Sequence, residues 1–277
     1  MSKILLCTLA ILLLFPILWM IVGSFLPVGM VLLVPPRIPR VLSIEYYRII
    51  FSRVPILLWL ANSMIVMSTI FIAAITVTAL GAYAFITMQF RGKRFLYWFF
   101  VSGLMIPLPC LLLPRYIVAR YIGGLNNWWG IIAMSIYAPG ALILLRQCFA
   151  AIPKDFYEAA RMDGASDATI LARIVLPQST AVLAYLALTQ FLGSIMDFAW
   201  PMLVLNERRL FTLPLGILYF LSNYTSAYLP AGAPSGPNIL AGLDLAGGVL
   251  LFLPALLIFA IFRNVLNKRF LEGGLKE

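Results

Sequence analysis

The chain has 277 residues, 63% of them hydrophobic and only 11% charged, with a mean hydropathy of +1.00 and a formal net charge of +10. A soluble domain carries about a quarter charged residues, so the composition excludes one and implies a single multi-spanning membrane domain over 1–277. The basic residues flank apolar runs, as expected of a membrane protein with positive inner loops, and nucleic acid is not an expected partner.

Residues 4–26 read as the first span, a retained anchor with Pro16 inside it. Pro27, Pro35, Pro36 and Pro39 mark an extended outer segment. The stretch 43–53 reads as an interfacial helix, with Ile44, Tyr47, Ile50 and Phe51 on one side. A second span covers 56–88; its Asn62, Ser63, Thr78, Gly81 and Ala82 suit close helix packing in lipid. The tight loop Arg91-Gly92-Lys93-Arg94 marks the cytoplasmic side. The third span, 95–113, is broken by Pro107 and Pro109, and a connector leads to Trp128 and Trp129 at the start of the fourth, 128–150. After a polar interruption at 152–177, the fifth span runs over 179–205. Residues 211–220 are apolar but too few to cross about 30 Å of hydrocarbon, so they read as re-entrant or interfacial. They sit in an outer loop, 206–240, before the sixth span at 241–262. All five lysines (Lys3, Lys93, Lys154, Lys268, Lys276) then fall inside, with both termini, while arginine is divided between the two sides.

The polar interruption holds four of the ten acidic residues: Asp155, Glu158, Asp163 and Asp167. Pro153 suits the start of a helix, and Asp155 and Glu158 lie near its positive end. Ile152, Phe156, Ala159 and Ala160 share one face at 3.6-residue spacing. Gly164 sits where a left-handed residue would end the helix, and Ser166 can cap a second one. The predicted object is helix, glycine turn, helix.

Glu158-Ala159-Ala160, three residues, Gly164, nine residues, then Ile174-Val175-Leu176-Pro177 resembles the EAA motif of ABC importer permease subunits. Phe90-Arg91-Gly92-Lys93, Gly124-Leu125-Asn126-Asn127, Leu145-Arg146-Gln147, Thr212-Leu213-Pro214-Leu215-Gly216 and the ending from Arg269 resemble the maltose-type second subunit of the carbohydrate branch. Ile195-Met196-Asp197-Phe198 departs from that branch, which has Trp and Asn before its acid. The resemblance implies an all-α, six-helix transmembrane permease domain with a cytoplasmic coupling helix. It implies a second homologous permease subunit, two ATPase subunits and an extracytoplasmic solute-binding protein as partners. Glu158, Ala159, Ala160, Asp163 and Gly164 would then meet the ATPase.

The chain has no G-x-x-x-x-G-K-[ST] loop, so the expectation is a non-enzyme without a cofactor of its own, ATP and Mg being bound by the ATPase subunits. Histidine is absent, and Cys7, Cys110 and Cys148 have no metal-ligand spacing; no metal site is expected. Tyr137, Gln190, Ser194 and Asp197 are candidates for the solute path, offering hydrogen bonds, an aromatic face and an intramembrane acid. Packing within the bundle, or an ion pair of Asp197 with a residue such as Arg208, would explain the same residues. An ion-coupled secondary transporter is the alternative reading; it wants paired intramembrane carboxylates in repeats, and the sequence offers mainly Asp197 and Asp244. A lipid-modifying membrane enzyme is weaker still, with no clustered nucleophile or metal ligands.

Overall fold

The computed structural model describes residues 3–28, 30–32, 41–224 and 236–274, with side chains as far as Arg263 and, in the first ten residues, at Leu5, Thr8 and Leu9. The segment at Pro35, Pro36 and Pro39, most of the 222–238 loop, and the side chains of Lys3, Cys7, Lys268, Arg269 and Lys276 therefore lie outside the described residues. Among the described residues all regular structure is helical. An apolar chain gains from this, because a helix satisfies its own backbone where no water can.

In chain order the helices are α1 (Lys3–Ser24), α2 (Glu45–Arg53), α3 (Ile56–Thr87), α4 (Lys93–Ser102), α5 (Leu108–Tyr121), α6 (Trp128–Ser135) and α7 (Pro139–Ala150). They continue with α8 (Lys154–Met162), α9 (Asp167–Ile170), a π-turn (Leu171–Val175), α10 (Leu176–Gln178), α11 (Thr180–Met196), α12 (Ala199–Val204), α13 (Leu213–Asn223) and α14 (Pro237–Gly274). Ile56–Thr87 and Pro237–Arg263 are each long and apolar enough to cross a membrane.

Three other apolar stretches are bent. In the 95–113 stretch the helices at Lys93–Met105 and Leu108–Tyr121 meet at 112°. Ile106 precedes a proline and takes extended dihedrals, φ −89° and ψ 118°, since Pro107 crowds the helical region for the residue before it. The same constraint on Ala138, before Pro139, separates α6 from α7, which meet at 47°. Asp167–Gln178 and Thr180–Met196 meet at 79°, just after Pro177, which has no N–H to continue the ladder. The 179–205 stretch is likewise divided, α11 ending at Met196 and Asp197 lying extended before α12.

The chain forms two compact units, Met1–Asn62 with Phe211–Leu256, and Ser63–Leu210 with Leu257–Glu277. In the first, glycines let bulky rings approach a backbone closely. A Cβ at Gly216 would stand 2.2 Å from the Trp59 ring, and one at Gly242 would stand 2.0 Å from Tyr46; Trp59 and Tyr46 are both fully buried. Helix α2 turns Tyr46 and Ile50 inward, while Ile44 and Phe51, expected beside Ile50, are exposed. The 3.6-residue pattern alone does not choose between adjacent faces, and the Gly242 notch selects Tyr46. Helix α13, expected to be re-entrant or interfacial, buries Leu213, Leu215, Ile217 and Phe220. The amide of Asn62 donates to the Phe211 carbonyl at 2.9 Å, inside this core.

The second unit packs α3 beyond residue 62, α7, α8, the π-turn and α11 around Ala82, Tyr83, Leu145, Phe149, Tyr157, Ile170 and Val175. This core carries the 152–177 loop on its surface.

Candidate functional site

Helix α8 is short but defined at its C-terminal end. Gly164 has φ +78°, its N–H donates to Arg161 O at 3.0 Å, and the Ala165 N–H donates to Ala160 O at 3.0 Å. That pair of bonds is the Schellman closure, which absorbs carbonyls the helix leaves open. Ser166 Oγ then accepts from the Thr169 N–H at 3.3 Å and caps α9. The expected helix, glycine turn and second helix are thus in place. A side chain at Gly164 would meet nothing within 4 Å; its constraint is the backbone angle alone.

The residues that share one face at 3.6-residue spacing are divided between the core and the surface. Ile152, Tyr157 and Ala160 are buried, but Phe156 is 52% exposed and Ala159 is also outside. The reason is a hydrogen bond that periodicity does not encode: Tyr157 Oη donates to the Phe149 carbonyl at 2.9 Å in the core. Once Tyr157 points in, Phe156 and Ala159 rotate out beside Met162, which is 89% exposed. Of the five expected contact residues, Glu158, Ala159, Asp163 and Gly164 face outward, and Ala160 packs inward.

A polar cluster fastens α8 to its surroundings. Asp167 Oδ1 accepts from Tyr83 Oη at 2.8 Å and from Arg161 Nη2 at 3.1 Å. Hydrogen bonds from Tyr83, then from Arg161, hold the Asp167 carboxyl below its ordinary range. The Tyr83 and Tyr157 rings lie 6.3 Å apart. Sequence reasoning missed Tyr83, Tyr157 and Arg161. Two hydroxylated rings, one in an otherwise oily helix and one in the loop, were the available signal. The Tyr157–Phe149 bond joins α8 to the end of α7, and the Arg161–Asp167–Tyr83 bonds join it to α9 and α3.

The four residues expected on a solute path are not gathered in one cavity. Tyr137 lines a cavity of about 410 Å³ with Thr78, Gly81, Phe100 and Leu142. Its hydroxyl donates to the Phe100 carbonyl. Gln190 lines an adjoining cavity of about 170 Å³ with Phe71 and Thr189, and Ala138 borders both cavities. Gln190 Nε2 donates to Ser194 Oγ at 3.4 Å, one turn along α11. Ser194 and Asp197 line neither cavity.

Asp197 Oδ1 accepts from the Trp200 N–H at 3.2 Å, and its electrostatic neighbour is Arg115. Arg115 lies 4.7 Å over the Trp200 ring and donates to Met134 O at 2.7 Å. Nearby in sequence, Asn126 (φ +53°) clamps the 204–207 turn. Its Oδ1 accepts from the N–H groups of Asn206 and Glu207, and its Nδ2 donates to Glu207 Oε1 at 2.7 Å. Arg209, then Asn126, hold the Glu207 carboxyl below its ordinary range. The Gly124-Leu125-Asn126-Asn127 run is therefore a structural clamp, with Asn127 capping α6.

Comparison with known proteins agrees with this architecture. Residues 78–272 match the family described as binding-protein-dependent transport system inner membrane component. The arabinooligosaccharides transport system permease protein AraQ of Halalkalibacterium halodurans is 29% identical over 95% of this chain and 91% of its own. The galactooligosaccharides transport system permease protein GanQ of Bacillus subtilis is 27% identical over 99% and 94%. Among solved structures, a bacterial ABC transporter involved in the import of the acidic polysaccharide alginate superposes with a TM-score of 0.79 at 22% identity, covering 94% of this chain and 93% of that one. The match spans the 152–177 loop and its supporting core, and the relatives are transport permeases along nearly their whole length. The chain belongs to the family of inner membrane components of binding-protein-dependent transport systems.

Proposed function

We propose that the chain is a permease subunit of an ATP-driven importer for an oligosaccharide or related polyol. It forms the translocation path with a second homologous permease subunit. Two ATPase subunits, which bind ATP and Mg, engage it from the cytoplasm, where both termini lie, and a solute-binding protein delivers solute from outside. The observation that carries this reading is the division of α8. Tyr157 and Ala160 are built into the core, while Phe156, Ala159, Met162 and the acids Glu158 and Asp163 stand in the open. A helix anchored on one side, with exposed apolar and acidic side chains on the other, is suited to being gripped. When ATP closes the ATPase pair, α8 moves with it and tilts α3, α7 and α11; ATP acts only as far as it favours the closed pair. Support for a carbohydrate solute comes from the names of the relatives. Tyr137, Gln190, Ser194 and Asp197 remain the residues proposed to meet it, with Tyr137 and Gln190 in two adjoining cavities, Ser194 bonded to Gln190 and Asp197 outside both. The alternative of an ion-coupled secondary transporter is set aside by the family.

The test is a reconstituted complex carrying Glu158→Lys or Gly164→Pro. The expected result is normal membrane insertion with loss of ATPase association or of ATP-stimulated uptake. Undiminished coupled uptake in both variants, or uptake with no ATPase subunit present, would overturn the reading. Mass spectrometry of the ligand held by the copurified binding protein identifies the solute.

A further inference from the structure

A basic pocket lies at the start of α4, bordering the Tyr137 cavity at Phe85. Phe85, Lys93, Arg94, Tyr97, Trp98 and Arg146 line about 440 Å³. All three charged residues are cations, and among the described residues none of them pairs with a carboxylate. Arg146 lays its guanidinium 4.7 Å over the Tyr97 ring, which occupies the face of the group and leaves its N–H edge free to donate. Lys93 Nζ gives one bond to Met88 O at 2.7 Å, which fixes the ammonium and leaves two further N–H groups.

The arrangement is electrostatically unfavourable when empty. Lys93 and Arg94 are the first two residues of α4, and Gly92 before them supplies no side-chain cap. Cations at the positive end of a helix dipole repel it, and Arg146 adds a third charge to the same pocket. A bound anion offsets all three. The surroundings then select the kind of anion. Trp98 is 58% exposed, and its neighbours Phe95 and Phe99 are 75% and 63% exposed. Aromatic rings beside cations are the signature of headgroup depth in a bilayer. A soluble phosphate has no use for such an apolar rim, whereas a phospholipid places its phosphate on the cations and its chains along the rings.

We propose that this pocket binds the phosphate headgroup of an anionic phospholipid, held by Lys93, Arg94 and Arg146 and bordered by Trp98. Arg146 lies near the end of α7, just before the 152–177 loop, so the lipid belongs to the leaflet facing that loop. The binding itself does not depend on the sidedness proposed above.

The test uses the complete transporter, delipidated in detergent and titrated with phosphatidylglycerol or phosphatidylcholine, with bound lipid counted by native mass spectrometry. Phosphatidylglycerol is expected to be retained in preference. Arg94→Gln and Arg146→Gln should each lower its occupancy about fivefold, the factor corresponding to one cation near a membrane surface. Arg91→Gln, an exposed residue of the same loop outside the lining, should leave occupancy unchanged. Equal retention of the two lipids, or an equal loss in Arg91→Gln, would show a diffuse basic surface and defeat the proposal. Displacement by millimolar inorganic phosphate would assign the pocket to a soluble anion instead. Should the glutamine variants fail to assemble, the unmodified complex decides: bromine-labelled phosphatidylglycerol must quench the Trp98 signal, defined by difference from Trp98→Phe, more than labelled phosphatidylcholine does.

Discussion

Gly164 shows how one residue can be constrained without being crowded. Its φ of +78° closes α8, yet no atom stands where a Cβ would go. Gly164→Ala should therefore destabilise the loop by about 1–2 kcal/mol, the cost of left-handed dihedrals for an L-residue, with no repacking. Hydrogen exchange should register it as faster exchange of the Gly164 and Ala165 amides, while the amides of α11 stay unchanged. Asp167 makes a different prediction. Its folded pKa is depressed, chiefly by the Tyr83 hydroxyl, so its contribution is fully present above the unfolded value of about 3.9 and is lost as pH falls through the lower folded value. The stability difference between the natural protein and Asp167→Asn should stay constant from neutral pH down to about 5 and shrink below about 4. It should be small, under about 1 kcal/mol from the Arg161 pair, because both partners are about half exposed and solvent screens them. A difference that grew as the pH fell would show that the cluster is not the one described.

At the level of elements, α8 has two faces with separable roles. Replacing the exposed Phe156 and Met162 by Ala should leave the thermal unfolding of the permease nearly unchanged, since surface substitutions usually stay within about 0.5 kcal/mol. The same changes should weaken ATPase association by about tenfold or more, as loss of an exposed apolar anchor does at an interface. Pull-down of the ATPase against a thermal scan of the same preparation separates the two effects; instability without loss of association would reverse the assignment of faces. Much of this element was legible beforehand. The glycine turn, the Ser166 cap and the exposed position of Glu158 follow from local backbone chemistry. The direction in which α8 faces was not legible, because Phe156 and Tyr157 are adjacent and similarly apolar. What separates them is the Phe149 carbonyl, eight residues away, which only Tyr157 can reach with a hydroxyl. Prolines were a similar case: Pro107 and Pro109 announced a break in the third span, but not the 112° between its two halves.

For the whole molecule, the sharpest prediction is sidedness. A single cysteine placed at Asp163, in a background without Cys7, Cys110 and Cys148, should react with a membrane-impermeant thiol reagent only from the cytoplasmic side. The label should be blocked when the ATPase subunits are bound. Labelling of intact cells from outside would invert the topology and remove the role of α8. The two cavities proposed for the solute path belong to this scale as well. Tyr137 and Gln190 border different cavities, so a solute would meet them in succession. No spacing along the chain could have indicated that separation.

What the amino-acid order determined alone was everything that depends on local or averaged properties. Apolar content placed the chain in a membrane, backbone satisfaction in lipid made it helical, and the four acids of the 152–177 interruption marked a polar loop between apolar stretches. Tertiary structure alone decided which side of each helix is inside. It turned Tyr46 onto Gly242 and Tyr157 onto Phe149, joined Tyr83 to Asp167 across 84 positions, and gathered Lys93, Arg94 and Arg146 in one basic pocket. The physical reason is that hydrophobic burial has no direction and accepts any apolar face. A buried hydroxyl, a ring against a glycine or an unpaired cation accepts only the geometry that distant parts of the chain provide.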